Sequence, residues 1–446
     1  MALKLTVLGG GGFRTPMVHA GLLSRAGRLA VDEVWLQDRD AARLDRIAAV
    51  LRGQAEEAGA GPELRVTTDL GAALDGADLV LCAIRVGGEA ARAADERAVL
   101  DLGLLGQETV GAAGILYALR TVPVMRTIAA EIARRAPRAW VLNFTNPAGL
   151  VTEAMTPALG ERVIGVCDSP AALVGRVATA IGRRARDLQV GYGGLNHFGW
   201  LVSVRDAGGT DLLPALLRDP ERLGRLEEGR LFGTEWLGAL GMIPNEYLFY
   251  YERTAAAIAE TLRRGETRGE ALLGAQLDFY RRTDPTPRSA LDDWRDVRGR
   301  RERTYLQEAG AGLHVVGLGG DEGGYAEVAL EVAVALTGGP PCRAILNVRN
   351  GGALPGLDSE AVVEVPCQVD GRGVHPRPQP PLPATAAART ALLKAIDRLV
   401  LDASLEGSSR ALWQAFASHP LCGGIDVAPR LVELAAGAAG SEVARA

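Results

Sequence analysis

The sequence predicts an α/β protein in two parts. A Rossmann-type, doubly wound parallel sheet is expected over residues 1–192, and an α+β domain over residues 193–446. Short apolar runs alternate with helix-length amphipathic stretches as far as about Val190, the order that builds right-handed βαβ crossovers. Beyond that point the alternation loosens. At 446 residues the chain also exceeds what a single core usually supports.

Leu3 to Leu8 is an apolar run long enough for one buried strand and too short for a helix. It breaks into Gly9, Gly10, Gly11 and Gly12, then Phe13, Arg14, Thr15 and Pro16, then an apolar-periodic stretch. Strand, glycine turn and a helix with proline in its first turn describe the opening of a dinucleotide-binding unit. The glycines let the backbone turn sharply against a pyrophosphate. The helix behind them offers free N–H groups and the positive end of its dipole. Val31 to Leu36 reads as the second strand. Asp38, just past its end, would accept the ribose hydroxyls of NAD and repel the extra phosphate of NADP. The motif is imperfect: counted from Gly9, its third glycine position holds Arg14.

A helix follows over Ala41 to Ala58, a strand over Leu64 to Thr67, and a short helix over Leu70 to Leu74 behind a cap at Thr68-Asp69. Asp78 to Ile84 is an apolar strand of the kind that parallel sheets bury on both faces. Arg85 opens the loop at its carboxyl end, the edge where open α/β sheets bind ligands. A helix over Ala90 to Leu100, a glycine-broken segment at 103–114 and a long helix over Leu116 to Ala136 come next. The strand Ala139 to Phe144 ends in Thr145-Asn146-Pro147, and the strand Val163 to Val166 ends in Cys167-Asp168. Three successive strand ends thus deliver Arg85, Asn146 and Cys167/Asp168 to one rim.

In the second part, Gly191 to Gly194 lead into Asn196-His197 and a strand over Leu201 to Val204. Helices are expected over Glu246 to Leu262 and Glu270 to Tyr280. Residues 281–303, rich in Arg, Asp and Pro, read as a mobile surface segment. A helix over Val328 to Leu336 and strands over Arg343 to Val348 and Val362 to Val369 follow. A turn at 370–373 and a proline-rich connection lead to the closing helices.

A net charge of -5 with no basic tract interleaved with aromatics argues against nucleic acid as a partner. No apolar run is long enough to cross a bilayer, so no membrane partner is expected. The N-terminus passes from strand to glycines without a signal peptide's apolar region. Five cysteines without a CxxC pair read as reduced thiols in a cytoplasmic protein.

Several residues carry chemistry, and each has a plainer reading. Cys167 and His197 both follow apolar strands, and a thiolate with an imidazole suits a borderline divalent metal whose sphere a chelating ligand completes. Two ligands are too few for a structural zinc site, and a buried thiol and a hydrogen-bonded imidazole are the alternative. Asp168 is a proton donor or a helix cap. Tyr247, in PNEYLFYY, falls on one helical face with Leu248 and Tyr251, the pattern of a packed aromatic stripe. Arg85 and Arg268 clamp an anion or sit on a solvated face.

Together with Gly9 to Pro16, eight blocks resemble the glycoside hydrolase family 4 enzymes, most closely their 6-phospho-β-glucosidase branch. They are IRVGG at 84–88, GQET at 106–109, ALRTVPVM at 118–125, NFTNPAG at 143–149, CDSP at 167–170, GLNHFGW at 194–200, IPNEYLFYY at 243–251 and TRGE at 267–270. The resemblance spans about residues 3–330. It implies a redox–elimination route, the exception to two-carboxylate glycoside hydrolysis. NAD takes hydride from C3, a tyrosine removes the acidified C2 proton, the aglycone leaves, water adds at C1 and the hydride returns.

Carried onto this chain, the resemblance makes Tyr247 the base and puts Mn²⁺, or another divalent metal, on Cys167 and His197. Gly9 to Gly12, Phe13, Arg14, Asp38 and Asn146 would hold NAD. Arg85, Asn146 and Arg268 would hold the sugar and its 6-phosphate. Asp168 matches the proton donor of the α-glucosidase branch, where β enzymes often have Asn. Asp101 stands where members often carry a lysine that makes the tyrosine more basic, and GAAG at 111–114 replaces a GPGG-like turn. A homodimer or homotetramer is the family habit. The alternatives are a 6-phospho-α-glucosidase of the same family, or a lactate/malate-type NAD-dependent dehydrogenase, whose two-domain plan the chain shares.

Overall fold

The computed structural model describes residues 3–282, 286–302 and 324–443. Six strands come from the amino-terminal part: β1 (Lys4–Leu8), β2 (Glu33–Gln37), β3 (Glu63–Thr67), β4 (Leu79–Cys82), β5 (Trp140–Asn143) and β6 (Val163–Gly165). They lie in the order β3-β2-β1-β4-β5-β6, every pair parallel. The order reverses between β1 and β4, and a crevice opens there at the carboxyl ends of the strands. All four residues of β4 are buried, as a strand covered on both faces requires.

Seven helices cover the two faces: α1 (Thr15–Ser24), α2 (Ala41–Ala58), α3 (Leu70–Leu74), α4 (Gly88–Asp101), α5 (Gly111–Arg135), α6 (Ala148–Leu159) and α7 (Ser169–Ala180). The Asp40 and Asp69 carboxylates accept the N–H groups of Arg43 and Ala72 at 3.0 Å and so start α2 and α3. The helix expected from Leu116 begins earlier: GAAG is the first turn of α5, not a loop. Glycine is needed there because a Cβ at Gly114 would lie 2.6 Å from the Thr109 carbonyl carbon.

A second sheet follows, antiparallel, of β7 (Gln189–Leu195), β8 (Phe198–Arg205) and β9 (Ile243–Pro244). The glycines at 191–194 are thus part of a strand, and that strand crosses the division expected at residue 192. A Cβ at Gly194 would meet the Phe198 carbonyl oxygen at 2.3 Å, so the closing hairpin tolerates only glycine. Three later strands, β10 (Cys342–Arg349), β11 (Val362–Asp370) and β12 (Gly373–Pro376), join the first sheet. β10 runs antiparallel to β6 through Asn347 and Gly165, giving nine continuous strands from both parts of the chain.

Four short helices, α8 (Leu213–Leu217), α9 (Pro220–Arg225), α10 (Glu227–Phe232) and α11 (Thr234–Leu240), precede β9. The helix expected over Glu246 to Leu262 is broken. A 3₁₀ turn at Glu246–Leu248 and α12 (Phe249–Glu252) are separated from α13 (Thr254–Arg264) at Arg253, whose φ of -126° is not helical. The Asn245 side chain starts the turn by accepting the Tyr247 N–H at 2.9 Å. α14 (Arg268–Arg281) opens on a capping box between Thr267 and Glu270.

Residues 287–302 are not a mobile segment: they form α15 (Pro287–Glu302), with residues 283–285 and 303 outside the described range. Ala290, Leu291, Trp294 and Val297 recur at helical spacing and are buried, while Arg288, Asp292, Arg295 and Asp296 are exposed. Trp294 Nε1 donates to the Phe13 carbonyl at 2.9 Å, and the Tyr280 hydroxyl donates to the Gly11 carbonyl at 2.7 Å. The glycine turn is therefore held from behind by two helices of the second part. Trp294→Ala should cost about 3–5 kcal/mol of stability, seen as a lower denaturation midpoint at unchanged slope; an unaltered midpoint would show that α15 is not packed on the turn. α16 (Tyr325–Leu336), α17 (Ala384–Glu406), α18 (Ser409–Ser418) and α19 (Ala428–Val443) complete the fold. Among the described residues no helix is long and apolar enough to cross a membrane.

Candidate active site

A cavity of about 1280 Å³ occupies the carboxyl edge of the parallel sheet. Gly9, Gly12, Phe13, Arg14 and Asp38 line one side, and Arg85, Asn146, Asp168, Tyr247 and Arg268 line the other. Gly10 and Gly11 belong to the same turn but face β2 and α2: a Cβ on Gly10 would meet Leu36 at 2.8 Å, and one on Gly11 would meet Arg43 and Asp38 at 3.0 Å. Gly9 takes a φ of 79°, and a Cβ there would lie 2.6 Å from the Ala83 carbonyl oxygen. Arg14 fits the third glycine position of the motif because α1 starts only at Thr15, leaving Arg14 exposed at the helix entrance. No side chain caps α1; the Thr15 and Met17 N–H groups donate to the Gly12 and Arg14 carbonyls at 3.1 and 3.0 Å, and Pro16 has no N–H to offer. Asp38 is fixed by accepting the Gly11 and Asp40 N–H groups, each at 3.2 Å.

Cys167 and His197 are buried at 2% and 3% exposure, behind the cavity wall rather than on it. His197 occupies the two-residue link between β7 and β8 with a φ of 61°, an uncommon conformation for a residue with a side chain. Its ring lies flat against the Tyr247 ring, centroids 3.6 Å apart and planes 1° from parallel. Burial pushes its imidazole down to about 3, against the pull of Glu108, so the ring is neutral at neutral pH. Nδ1 lies 3.0 Å from the Thr109 hydroxyl, while Nε2 is buried without a hydrogen-bond partner. Burial, then Glu364 and Asp168, raises the Cys167 thiol well above its ordinary range. A neutral imidazole with an orphaned nitrogen and a buried soft thiol fit a divalent cation, which would displace the thiol proton on binding. Among the described residues no group of three or more His, Cys, Asp and Glu is placed to hold a metal.

Asp168 stands at the N-cap position of α7 without a side-chain capping bond and lines the cavity. Burial pushes its carboxyl up, opposed by Arg14. Tyr247 and Tyr251 do not share one role. Tyr251 packs edge-on against Phe198, centroids 4.7 Å apart, whereas Tyr247 lines the cavity. Asp101 ends α4 on the exposed surface and is not among the cavity residues.

A ladder of charges was not anticipated from the sequence. Arg85 meets Glu108 at 2.7 Å and Glu89 at 3.3 Å; Arg92 meets Glu108 at 2.9 Å and Glu96 at 2.8 Å. Glu96 also accepts the Gly269 N–H at the start of α14, at 2.6 Å. Burial disfavours the Glu108 carboxylate, but Arg85 and Arg92 overcome it and hold the group well below the usual carboxylate range. The signal available in advance was the polar tetrad GQET between two glycine breaks.

These features define a Rossmann-type α/β protein of the dehydrogenase plan, carrying a thiol, an imidazole and a tyrosine at its ligand edge. Malate dehydrogenase from Plasmodium falciparum shares the fold, with a TM-score of 0.51 at 11% identity over 91% of this chain and 99% of that one. The chain belongs to the family 4 glycosyl hydrolases: the family model matches residues 4–183 and the model of the family's C-terminal domain matches residues 192–422. A 6-phospho-alpha-glucosidase of Leptotrichia buccalis is 30% identical over 92% of each chain. The structure of the 6-phospho-beta glucosidase from Thermotoga maritima with manganese, NAD+ and glucose-6-phosphate superposes with a TM-score of 0.81, at 25% identity over 98% of each chain.

Proposed function

We propose that this chain is a 6-phospho-β-glucosidase, acting by oxidation at C3 and elimination rather than by displacement at C1. At the coarser level it is an NAD- and divalent-metal-dependent phospho-glucosidase. The observation that carries the reading is a single cavity joining the glycine turn to Tyr247, with the orphaned nitrogen of His197 directly behind that ring. Bound NAD would supply a reversible hydride acceptor, and Mn²⁺ on Cys167 and His197 a Lewis acid for the sugar oxygens.

The chain's own residues do the rest. Tyr247 removes the proton from C2. Asp168, whose carboxyl burial pushes up against the pull of Arg14, gives a proton to the departing glycosidic oxygen. Asn146, at the turn after β5, holds the sugar between the two sides of the cavity. Arg268, the first residue of α14, meets the 6-phosphate. Arg85 is already balanced by Glu108 and Glu89, so it orients sugar hydroxyls and adds little net attraction for an anion.

Asp168 favours a second reading, α-glucoside cleavage, because the resemblance matches it to the donor of the α branch. Paired p-nitrophenyl α- and β-glucoside 6-phosphates decide between them: cleavage of the β substrate alone supports the first reading, and cleavage of the α substrate alone rejects it. Removing the phosphate should lower kcat/KM by at least about 100-fold, since each charge-assisted hydrogen bond contributes about 1.5–3 kcal/mol. Arg268→Ala should erase most of that ratio. Equal rates with and without phosphate in the wild type would reject the phosphate assignment. All five cysteines are free thiols, which fits the cytoplasm as the place where the enzyme meets phosphorylated sugars.

A further inference from the structure

We propose that Gln107 and Thr109 are positioning residues that fix the tautomer of His197, placing its proton on Nδ1 and leaving Nε2 bare. One short chain of hydrogen bonds, from two backbone N–H groups through Gln107 and Thr109 to His197, leaves one place for each proton. The Gln107 side-chain oxygen lies 2.8 Å from the Thr109 N–H and 3.0 Å from the Val110 N–H. Two backbone donors on one atom settle which end of the amide is the oxygen. That oxygen cannot donate, so the Thr109 hydroxyl, 3.1 Å away, donates to it. A hydroxyl has one proton. With it spent on Gln107, Thr109 Oγ1 faces His197 Nδ1 at 3.0 Å only as an acceptor. Nδ1 therefore carries the ring proton, and Nε2 presents its lone pair.

The opposite tautomer fails twice. It would leave the Gln107 and Thr109 oxygens 3.1 Å apart with no proton between them. It would also bury an Nε2–H where the structure offers no acceptor. The ring cannot rotate to escape this, because Tyr247 covers one face at 3.6 Å. Nor can the strand easily shift: Asn196 donates to Glu364 at 3.3 Å, and the Thr109 backbone is packed tightly against Gly114 of α5. Gln107 and Thr109 are thus a fixed template against which the imidazole is read. The consequence for metal binding rests on the reading of Cys167 and His197 as ligands; the tautomer itself does not.

The two are separated by measuring each alone. Nitrogen-detected NMR of ¹⁵N-histidine-labelled, metal-free protein, with the His197 signal identified by its loss in His197→Gln, should show a protonated Nδ1 and a bare Nε2. A proton on Nε2 in the wild type would overturn the proposal without any variant. Mn²⁺ affinity, followed by the EPR signal of the free ion, should fall roughly 10–100-fold in Thr109→Val, the range typical of losing an outer partner of a ligand, and return in Thr109→Ser. Wild-type affinity in Thr109→Val would overturn the proposed control of the ligand. Wild-type protein that binds no Mn²⁺ would reject the metal reading, while the NMR result still decides the tautomer.

Discussion

Tyr247→Phe should lower kcat by roughly 10²–10⁴-fold, the span of general acid–base catalysis, with NAD and substrate binding near wild type. The substitution removes one oxygen and keeps the ring that lies on His197 at 3.6 Å, so lost packing cannot account for the effect. If Tyr247 takes the C2 proton and water later replaces it, product formed in D₂O carries deuterium at C2. A displacement at C1 never breaks that C–H bond, and a dehydrogenase leaves the glycosidic bond intact. Solvent deuterium absent from C2 of the wild-type product would reject the mechanism. Deuterium present, with Tyr247→Phe fully active, would keep the mechanism and move the base elsewhere.

Cys167→Ser should abolish hydrolysis, a larger loss than the roughly 10–100-fold expected of an outer partner, because a hydroxyl replaces a soft ligand in a site with little else to offer. Cys167 and His197 are both buried, and among the described residues no group of three or more His, Cys, Asp and Glu is placed to hold a metal. Chelation by EDTA should likewise silence the wild type. Added Mn²⁺ should then revive the chelated wild type and leave the serine variant inactive. Full turnover in metal-free protein would dismiss the site assignment.

The parallel half of the fold is legible in the sequence because its central strand β4 is apolar and buried throughout and its caps are local. Asp69 and the bounds of α2 and α3 follow from neighbours within a few residues. The edge residues Arg85, Asn146 and Asp168 follow from strand ends, and the structure brings them into one cavity. What stays hidden depends on distant partners. Trp294 reads as one ring in a charged stretch until Phe13 is placed beneath it. Gly193 and Gly194 read as a loop until the hairpin partner is known. Glu89, Arg92 and Glu96 take their roles from partners outside their own helix, Arg85, Glu108 and the Gly269 N–H. Thr109 gains its meaning from a histidine in the link between β7 and β8.

The continuity of the nine-stranded sheet bears on how the chain is made. As synthesis proceeds from the ribosome, β1 to β6 are complete once residue 165 has emerged, but the outer edge of β6 stays open until Asn347 is translated. For that interval the nascent protein exposes unpaired backbone groups, a template for association with other chains. A shorter delay applies to the glycine turn, whose Gly11 and Phe13 carbonyls wait for Tyr280 and Trp294. The glycine turn is therefore among the first segments synthesised, yet it is set only after residue 294 has emerged.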